Sequence, residues 1–195
     1  MKIIVTGGSG LLGTYLQQED FGATFLSSIQ YDLTYEPDVI DMFKDHEPDV
    51  VVHLAAKAGG MFDNMQNPFY YFEENVMMNT LMVKYARLYN VKKFVGALST
   101  CIYEDVSDHY PLLEEDLYNG IPHENHIGYG YAKRLMGVHI NIARKQGLNF
   151  SYVIPSNLYG VYEHGNITQK HFLGALLDRI YQANKNGDDK IVVYG

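Results

Sequence analysis

An α/β fold, with a parallel sheet covered by helices on both faces, is what this sequence predicts. Three observations carry that prediction. Short apolar runs alternate with longer amphipathic stretches along the 195 residues, the pattern of strands buried on two sides with helices packed over them. A glycine-rich turn joins the first apolar run to the first helical stretch. Two loops, Gly59–Pro68 and Cys101–Ile127, follow strand ends, where ligands of open α/β sheets bind.

In chain order, strands are predicted at Lys2–Thr6, Ala23–Ser27, Asp49–Leu54, Lys93–Leu98, Asn149–Ile154 and Ile191–Tyr194. Helices are predicted at about Leu11–Gln18, Pro37–His46, Asn75–Tyr89, Gly128–Gln146 and His171–Lys185. Pro37 suits a first helical turn, where a missing N–H costs nothing, and Gly147 suits a C-terminal stop. Gly-Gly, Asp-Asn and Asn-Pro signals make 59–68 a loop. The stretch 101–127 is long for a connection in a compact domain, which favours a functional role. The chain stops directly after the last predicted strand, an abrupt place for a fold to end.

Composition excludes several classes of function. The chain is 47% hydrophobic and 19% charged, ordinary for a globular protein. Its net charge is −8 and no run of Lys or Arg is long enough to track a phosphate backbone, so no nucleic-acid partner is expected. An anionic small molecule stays compatible, because backbone dipoles act locally against a diffuse field. No apolar run approaches the roughly 20 residues of a membrane span, and strand-like Lys2–Val5 begins at once, so neither a membrane partner nor a signal peptide is expected. Cys101 is the single cysteine, which rules out an internal disulfide and fits a reducing cytoplasm.

The glycine-rich turn reads Thr6-Gly7-Gly8-Ser9-Gly10-Leu11-Leu12-Gly13. Gly7 makes the tight turn, Gly10 lets backbone approach a pyrophosphate, and Gly13 lets helix and strand pack closely. Phosphates would meet the unpaired N–H groups at the helix N-terminus. Glycine-rich turns also arise for steric reasons alone; the position after a first strand and before a helix is what makes this a dinucleotide site. No Gly-Lys-Ser/Thr follows, which excludes a P-loop. The second strand ends Leu26-Ser27-Ser28-Ile29-Gln30, with no acid to grip a ribose 2′-hydroxyl, the usual mark of NAD. That absence favours NADP(H), with Ser27 and Ser28 as donors to the 2′-phosphate, although no Arg or Lys is adjacent.

Further along, Tyr129 and Lys133 lie four apart in a predicted helix, and Ser99 lies thirty residues before the tyrosine. A Tyr and a Lys so spaced share a helical face. The ammonium favours the phenolate by proximity, preparing Tyr129 to exchange a proton with a substrate oxygen. Ser99 can hold that oxygen. The set suits carbonyl–alcohol redox chemistry with a nicotinamide. With 17 tyrosines present, such pairs also arise by chance, and the chain has three. Tyr89 and Lys93 run off a helix end, and Tyr181 and Lys185 have no serine-bearing strand end before them. Tyr131, two residues from Lys133, faces away.

With these elements in order, joined by His53-Leu54-Ala55-Ala56, the chain resembles the extended short-chain dehydrogenase/reductases. Narrower motifs are similar to the branch that acts on GDP-4-keto-6-deoxy sugars: His53-Leu54-Ala55-Ala56-Lys57-Ala58-Gly59-Gly60, Leu98-Ser99-Thr100-Cys101-Ile102-Tyr103, Asn119-Gly120-Ile121-Pro122-His123, Gly128-Tyr129-Gly130-Tyr131-Ala132-Lys133-Arg134 and Ile154-Pro155-Ser156-Asn157-Leu158-Tyr159-Gly160. The resemblance implies a Rossmann-type doubly wound parallel sheet over residues 1–160 that binds NADP(H). Residues 161–195 would begin a substrate-binding portion whose remainder is missing. It implies 3,5-epimerisation and 4-reduction of GDP-4-keto-6-deoxy-D-mannose to GDP-L-fucose, a GDP-sugar as substrate, and a homodimer paired through the helices around 75–89 and 128–146. It makes Ser99, Tyr129 and Lys133 the reductase triad, and Cys101 and His171 the epimerisation pair. Cofactor contacts would come from Gly7–Gly13, Ser27, Ser28, Asp32, Leu33, Leu54, Ala55, Ala56, Ala97, Leu98, Thr100, Pro155, Ser156, Asn157, Leu158 and His171 as well as the triad. Asn157, Arg179 and Tyr194 would touch substrate.

Plainer readings stand beside these. A lone cysteine is most often a small buried hydrophobe, His171 can start a helix, and Arg179 can lie on a solvated face. His123-x-x-His126 lacks the spacing and further ligands of a metal site. Met77, Met78 and Met82 read as core or subunit interface. Two other functions remain open: a related enzyme acting on another 4-keto sugar nucleotide such as a GDP-keto-deoxyheptose, or a cofactor-binding module without catalysis.

Overall fold

The computed structural model describes residues 1–163 and 172–193. Five strands, β1 (Ile3–Thr6), β2 (Ala23–Leu26), β3 (Val50–His53), β4 (Lys93–Ala97) and β5 (Phe150–Val153), form one parallel sheet in the order β2-β1-β3-β4-β5. All four pairings are parallel, with β1 between β2 and β3. Ile4 and Val5 point to opposite faces of β1 and are 1% and 0% exposed, so the sheet is covered on both sides there. The chain runs outward from β1 to β2 and then crosses back to β3. The order therefore reverses between β1 and β3, the switch point at whose carboxyl edge a doubly wound sheet binds ligands.

Among the described residues six α-helices accompany the strands: α1 (Leu11–Leu16), α2 (Glu36–His46), α3 (Met61–Gln66), α4 (Pro68–Leu88), α5 (Ile127–Lys145) and α6 (Phe172–Asn186). Strand residues Ile4, Val51, Phe94 and Phe150 share one apolar core with Met42 and Phe43 of α2, Met78 and Met82 of α4, and Met136 and Ile140 of α5. None of the described helices is long and apolar enough to cross a membrane.

Three elements differ from the sequence expectation. The loop predicted at 59–68 contains α3, because Asn64 Nδ2 donates to the carbonyls of Gly59 and Gly60 and ties the turn to the helix. Helix α4 begins at Pro68, seven residues before the predicted start. Pro68 is a helix opener here and not a breaker, since its absent N–H falls in the first turn. The strand predicted at 191–194 does not form over Ile191–Val193. Val192 and Val193 are 63% and 53% exposed, and the Val192 carbonyl accepts from Arg179 Nη1 of α6 at 3.4 Å, so the segment follows α6 and forms no ladder with β5. A four-residue apolar run does not determine its own partner.

Candidate active site

A cleft of about 780 Å³ opens along the carboxyl edge of the sheet, across the switch point. Its walls are residues 6, 7 and 9–13 around the turn after β1, residues 26–28 and 31–33 at the end of β2, residues 54–60 after β3, residues 97–99 and Cys101 at the end of β4, and residues 155–158 after β5. Tyr129 and Lys133 enter from α5 and Arg179 from α6.

The glycine turn is built by contacts a side chain would break. Gly7 has φ +74°, and a Cβ there would lie 2.7 Å from Ala55 N. At Gly13 a Cβ would collide with the Gly7 carbonyl oxygen and come within 2.7 Å of Gly8 Cα. Gly10 is different: a Cβ would meet only the Gly7 oxygen, at 3.3 Å. It is the N-cap of α1 and offers no side chain to the N–H groups of the first turn, and Leu11–Gly13 of that turn line the cleft. Gly8 does not line the cleft; its N–H donates to Leu26 O at 2.8 Å and joins the turn to β2.

On the opposite wall, Ser99 leaves β4 and caps a short 3-10 turn, Thr100–Ile102. Ser99 Oγ accepts from the Cys101 N–H at 3.3 Å, which leaves its own hydroxyl proton for another acceptor. Half-buried Cys101 also lines the cleft, whereas Thr100 is exposed and does not. Lys133 is 1% exposed, and its Nζ donates to Ala97 O at 2.7 Å. That ammonium lies 5.7 Å from the Tyr129 ring centre. Burial pulls Lys133 down to about 8. Burial, reinforced by nearby Cys101, pushes the Tyr129 phenol up from its ordinary value.

This corrects one expectation. The Lys133 ammonium donates to a sheet carbonyl, and the loss of water around the phenol raises Tyr129, opposite to the lowering expected from the helical spacing. The rival phenols are elsewhere: Tyr89 stacks on Phe43 at 5.3 Å, Tyr181 is exposed, and Tyr131 lies 5.7 Å from the Arg134 guanidinium.

Residues 3–195 match the NAD dependent epimerase/dehydratase family. The chain belongs to that family. It is 36% identical to GDP-L-fucose synthase of Dictyostelium discoideum, over 98% of this chain and 62% of that protein. With the probable GDP-L-fucose synthase of Drosophila melanogaster the identity is 35%, over 93% of this chain and 59% of that one. Among solved structures, a GDP-L-fucose synthetase from Naegleria fowleri bound to NADP superposes with a TM-score of 0.84 at 34% identity, over 97% of this chain and 64% of that one. A GDP-D-glycero-L-gluco-heptose synthase from Campylobacter jejuni, in the presence of NADPH, gives 0.83 at 25%, over 97% and 60%. The chain thus spans roughly three-fifths of the length of the relatives it matches.

Within this epimerase/dehydratase frame, most of the other expected cofactor residues line the cleft: Ser27, Ser28, Asp32, Leu33, Leu54, Ala55, Ala56, Ala97, Leu98 and Pro155–Leu158. Ser27 is already engaged, because both its N–H and its hydroxyl donate to Gln30 Oε1, at 2.9 and 3.1 Å. Asp32 is held below its usual carboxylate range, chiefly by Thr34 hydrogen bonds. Arg179 and Asn157 also face the cleft. His171 and Tyr194 lie outside the described residues. Sequence reading passed over Lys57, Asn64 and His126 as site residues, yet all three line the cleft. Lys57 stood in plain view inside the His53–Gly60 motif; the main-chain clip that places it, Asn75 Oδ1 and Nδ2 on Lys57 N and O at 3.0 and 2.9 Å, is tertiary.

Proposed function

We propose that this chain carries the cofactor site and the reductase residues of an NADP(H)-dependent enzyme converting GDP-4-keto-6-deoxy-D-mannose to GDP-L-fucose. The convergence of Ser99, Cys101, Tyr129 and Lys133 on one cleft, facing the glycine turn, carries the reading. The names of the relatives point the same way.

The residues present fit a dinucleotide. The uncapped first turn of α1 and the open backbone at Gly10 would hold the pyrophosphate. Ser28, Asp32 and Leu33 would take the adenosine end, and Ala97–Ser99 with Pro155–Leu158 the nicotinamide end. Bound NADPH supplies the hydride that reduces C4. Before that, the C4 ketone acidifies the protons on C3 and C5. At each of these carbons in turn Cys101, as thiolate, would take the proton to become the thiol, and the C–H electron pair would pass to O4 as an enolate. The Ser99 and Tyr129 hydroxyls stabilise that oxygen, and reprotonation from the other face, assigned to His171, inverts the carbon. In the reduction the Tyr129 O–H gives its proton to O4. A phenol kept protonated by burial is in the form this direction consumes. Lys133 fixes the nearby wall through Ala97 O.

The likeness to the Campylobacter jejuni heptose synthase favours a second reading, in which the 4-keto sugar is a GDP-heptose. NADPH oxidation by the chain with GDP-4-keto-6-deoxy-D-mannose, followed by product identification, separates the readings. GDP-L-fucose supports the first. Turnover only with the keto-heptose supports the second, and NADPH binding with neither leaves a cofactor-binding module. Cys101→Ser should abolish exchange of the C3 and C5 protons with solvent while NADPH still binds; unchanged exchange would remove Cys101 from the mechanism. Pairing through α4 and α5, which expose Phe69, Met77 and Ile142, completes the proposal; a gel-filtration mass of one chain counts against it.

A further inference from the structure

Arg134 follows Lys133 on α5 and takes no part in the chemistry above. It is 7% exposed. Its guanidinium donates to three main-chain carbonyls: Nε to Ile102 at 2.6 Å, Nη1 to Gly120 at 2.8 Å and Nη2 to Asn119 at 2.6 Å. These carbonyls lie at the two ends of one loop. Ile102 ends the turn that bears Cys101, and Asn119-Gly120 brings the chain back toward α5. A bridge between Glu104 and Pro122, and the Asp105 N–H donating to Ile121 O at 3.1 Å, close the same neck.

Gly130 completes the seat. A Cβ there would lie 2.7 Å from the Cys101 carbonyl oxygen, so the turn rests directly on the helix. Tyr129 and Lys133 share one stripe of α5, and Gly130 and Arg134, also four apart, share the next. One rigid helix thus fixes both the phenol and the turn that carries the thiol. Only a planar fork meets three carbonyls in set directions, which an ammonium does not reproduce.

We propose that Arg134 is a positioning residue that sets Cys101 against Tyr129 and so governs epimerisation separately from reduction. The inference rests on the epimerase/reductase reading, but one arm of its test does not. Cys101 is the only cysteine, so its alkylation by iodoacetamide, followed by mass spectrometry, reports on that turn alone. In Arg134→Gln, labelling should quicken roughly tenfold, the effect of losing about one charged hydrogen bond that keeps the turn closed. Arg134→Lys should fall between parent and Gln. Gly130→Ala, which pushes the turn off the helix from the other side, should resemble Gln, and it decides the matter if Arg134→Gln fails to fold.

With GDP-4-keto-6-deoxy-D-mannose in D₂O, Arg134→Gln should cut deuterium entry at C3 and C5 by roughly tenfold relative to NADPH oxidation. The share of sugar reduced without inversion should rise, and NADPH affinity should hold. Labelling within about twofold of the parent in folded variants, or epimerisation and reduction falling together, would overturn the proposal. If the parent turns over no sugar, the functional reading fails while labelling still decides the role of Arg134.

Discussion

Lys133 and His53 are both buried bases, and each makes a pH prediction. Lys133 holds the Ala97 carbonyl most strongly as the ammonium, and burial has brought it down to about 8. Since kcat/KM reports the free enzyme's groups, it should fall as pH rises through about 8; a flat profile to pH 10 would show that the ammonium is dispensable. His53 is fully buried between Thr6 Oγ1 at 2.8 Å and Asn79 Oδ1 at 3.1 Å. Burial first, and the Lys133 charge second, depress it to about 3, against 6.5 for a free imidazole. A depressed native value means that the unfolded chain binds the extra proton first, so His53 stabilises the fold above pH 6.5 and that stability drains as pH falls toward 3. The melting temperature should drop between pH 6.5 and 5, and His53→Gln should flatten that slope even if it lowers the starting value. An equal slope in the variant would assign the acid sensitivity to other groups.

At the scale of elements, glycines and asparagines hold the segments that shape the cleft. Gly13→Ala drives a methyl into backbone atoms of the turn, atoms that cannot swing aside as a flexible side-chain end would. It should cost at least about 1–3 kcal/mol of stability and weaken NADPH binding; calorimetry and a fluorescence titration check the two parts. Asn75 is fully buried, and it clips Lys57 and also donates to Tyr71 O at 2.7 Å. Asn75→Ala strands these main-chain groups and should cost about 1–3 kcal/mol per group left unpaired, with the loss read as a lower denaturant midpoint. Retained stability would mean that water replaces the clip. Five of the six predicted strands form; β1 and β3 were plainest because burial writes them as Ile-Ile-Val and Val-Val-Val runs, whereas the equally apolar 191–193 run forms no strand. Helix α3 and the first turns of α4 were not, because Asn-Pro is equally a turn signal and a helix start. The polar residues Asn75 and Asn79, buried inside α4, blurred its period further.

For the whole molecule, the test is whether the 195 residues bind a dinucleotide as one cooperative unit. NADPH at about a hundred times its Kd should add ~2.7 kcal/mol, which for a chain of this size raises Tm by roughly 5–10 °C. NADH should do less at equal concentration, since no acid stands at the end of β2. Absence of any shift with either nucleotide would remove the cofactor site from this chain.

The fold class, the glycine turn after the first strand and the membership of Ser99, Tyr129 and Lys133 in one helix-and-strand-end set were determined by sequence alone. They depend on local spacing and on burial periodicity, which a linear chain displays. Tertiary structure decided the rest. It turned Lys133 toward Ala97 O and left the phenol protonated, it tied Ser27 to Gln30, and it brought Lys57 and Arg134 to their places. Those outcomes depend on water removed and carbonyls met across tens of residues of chain, and no spacing in the sequence records either quantity.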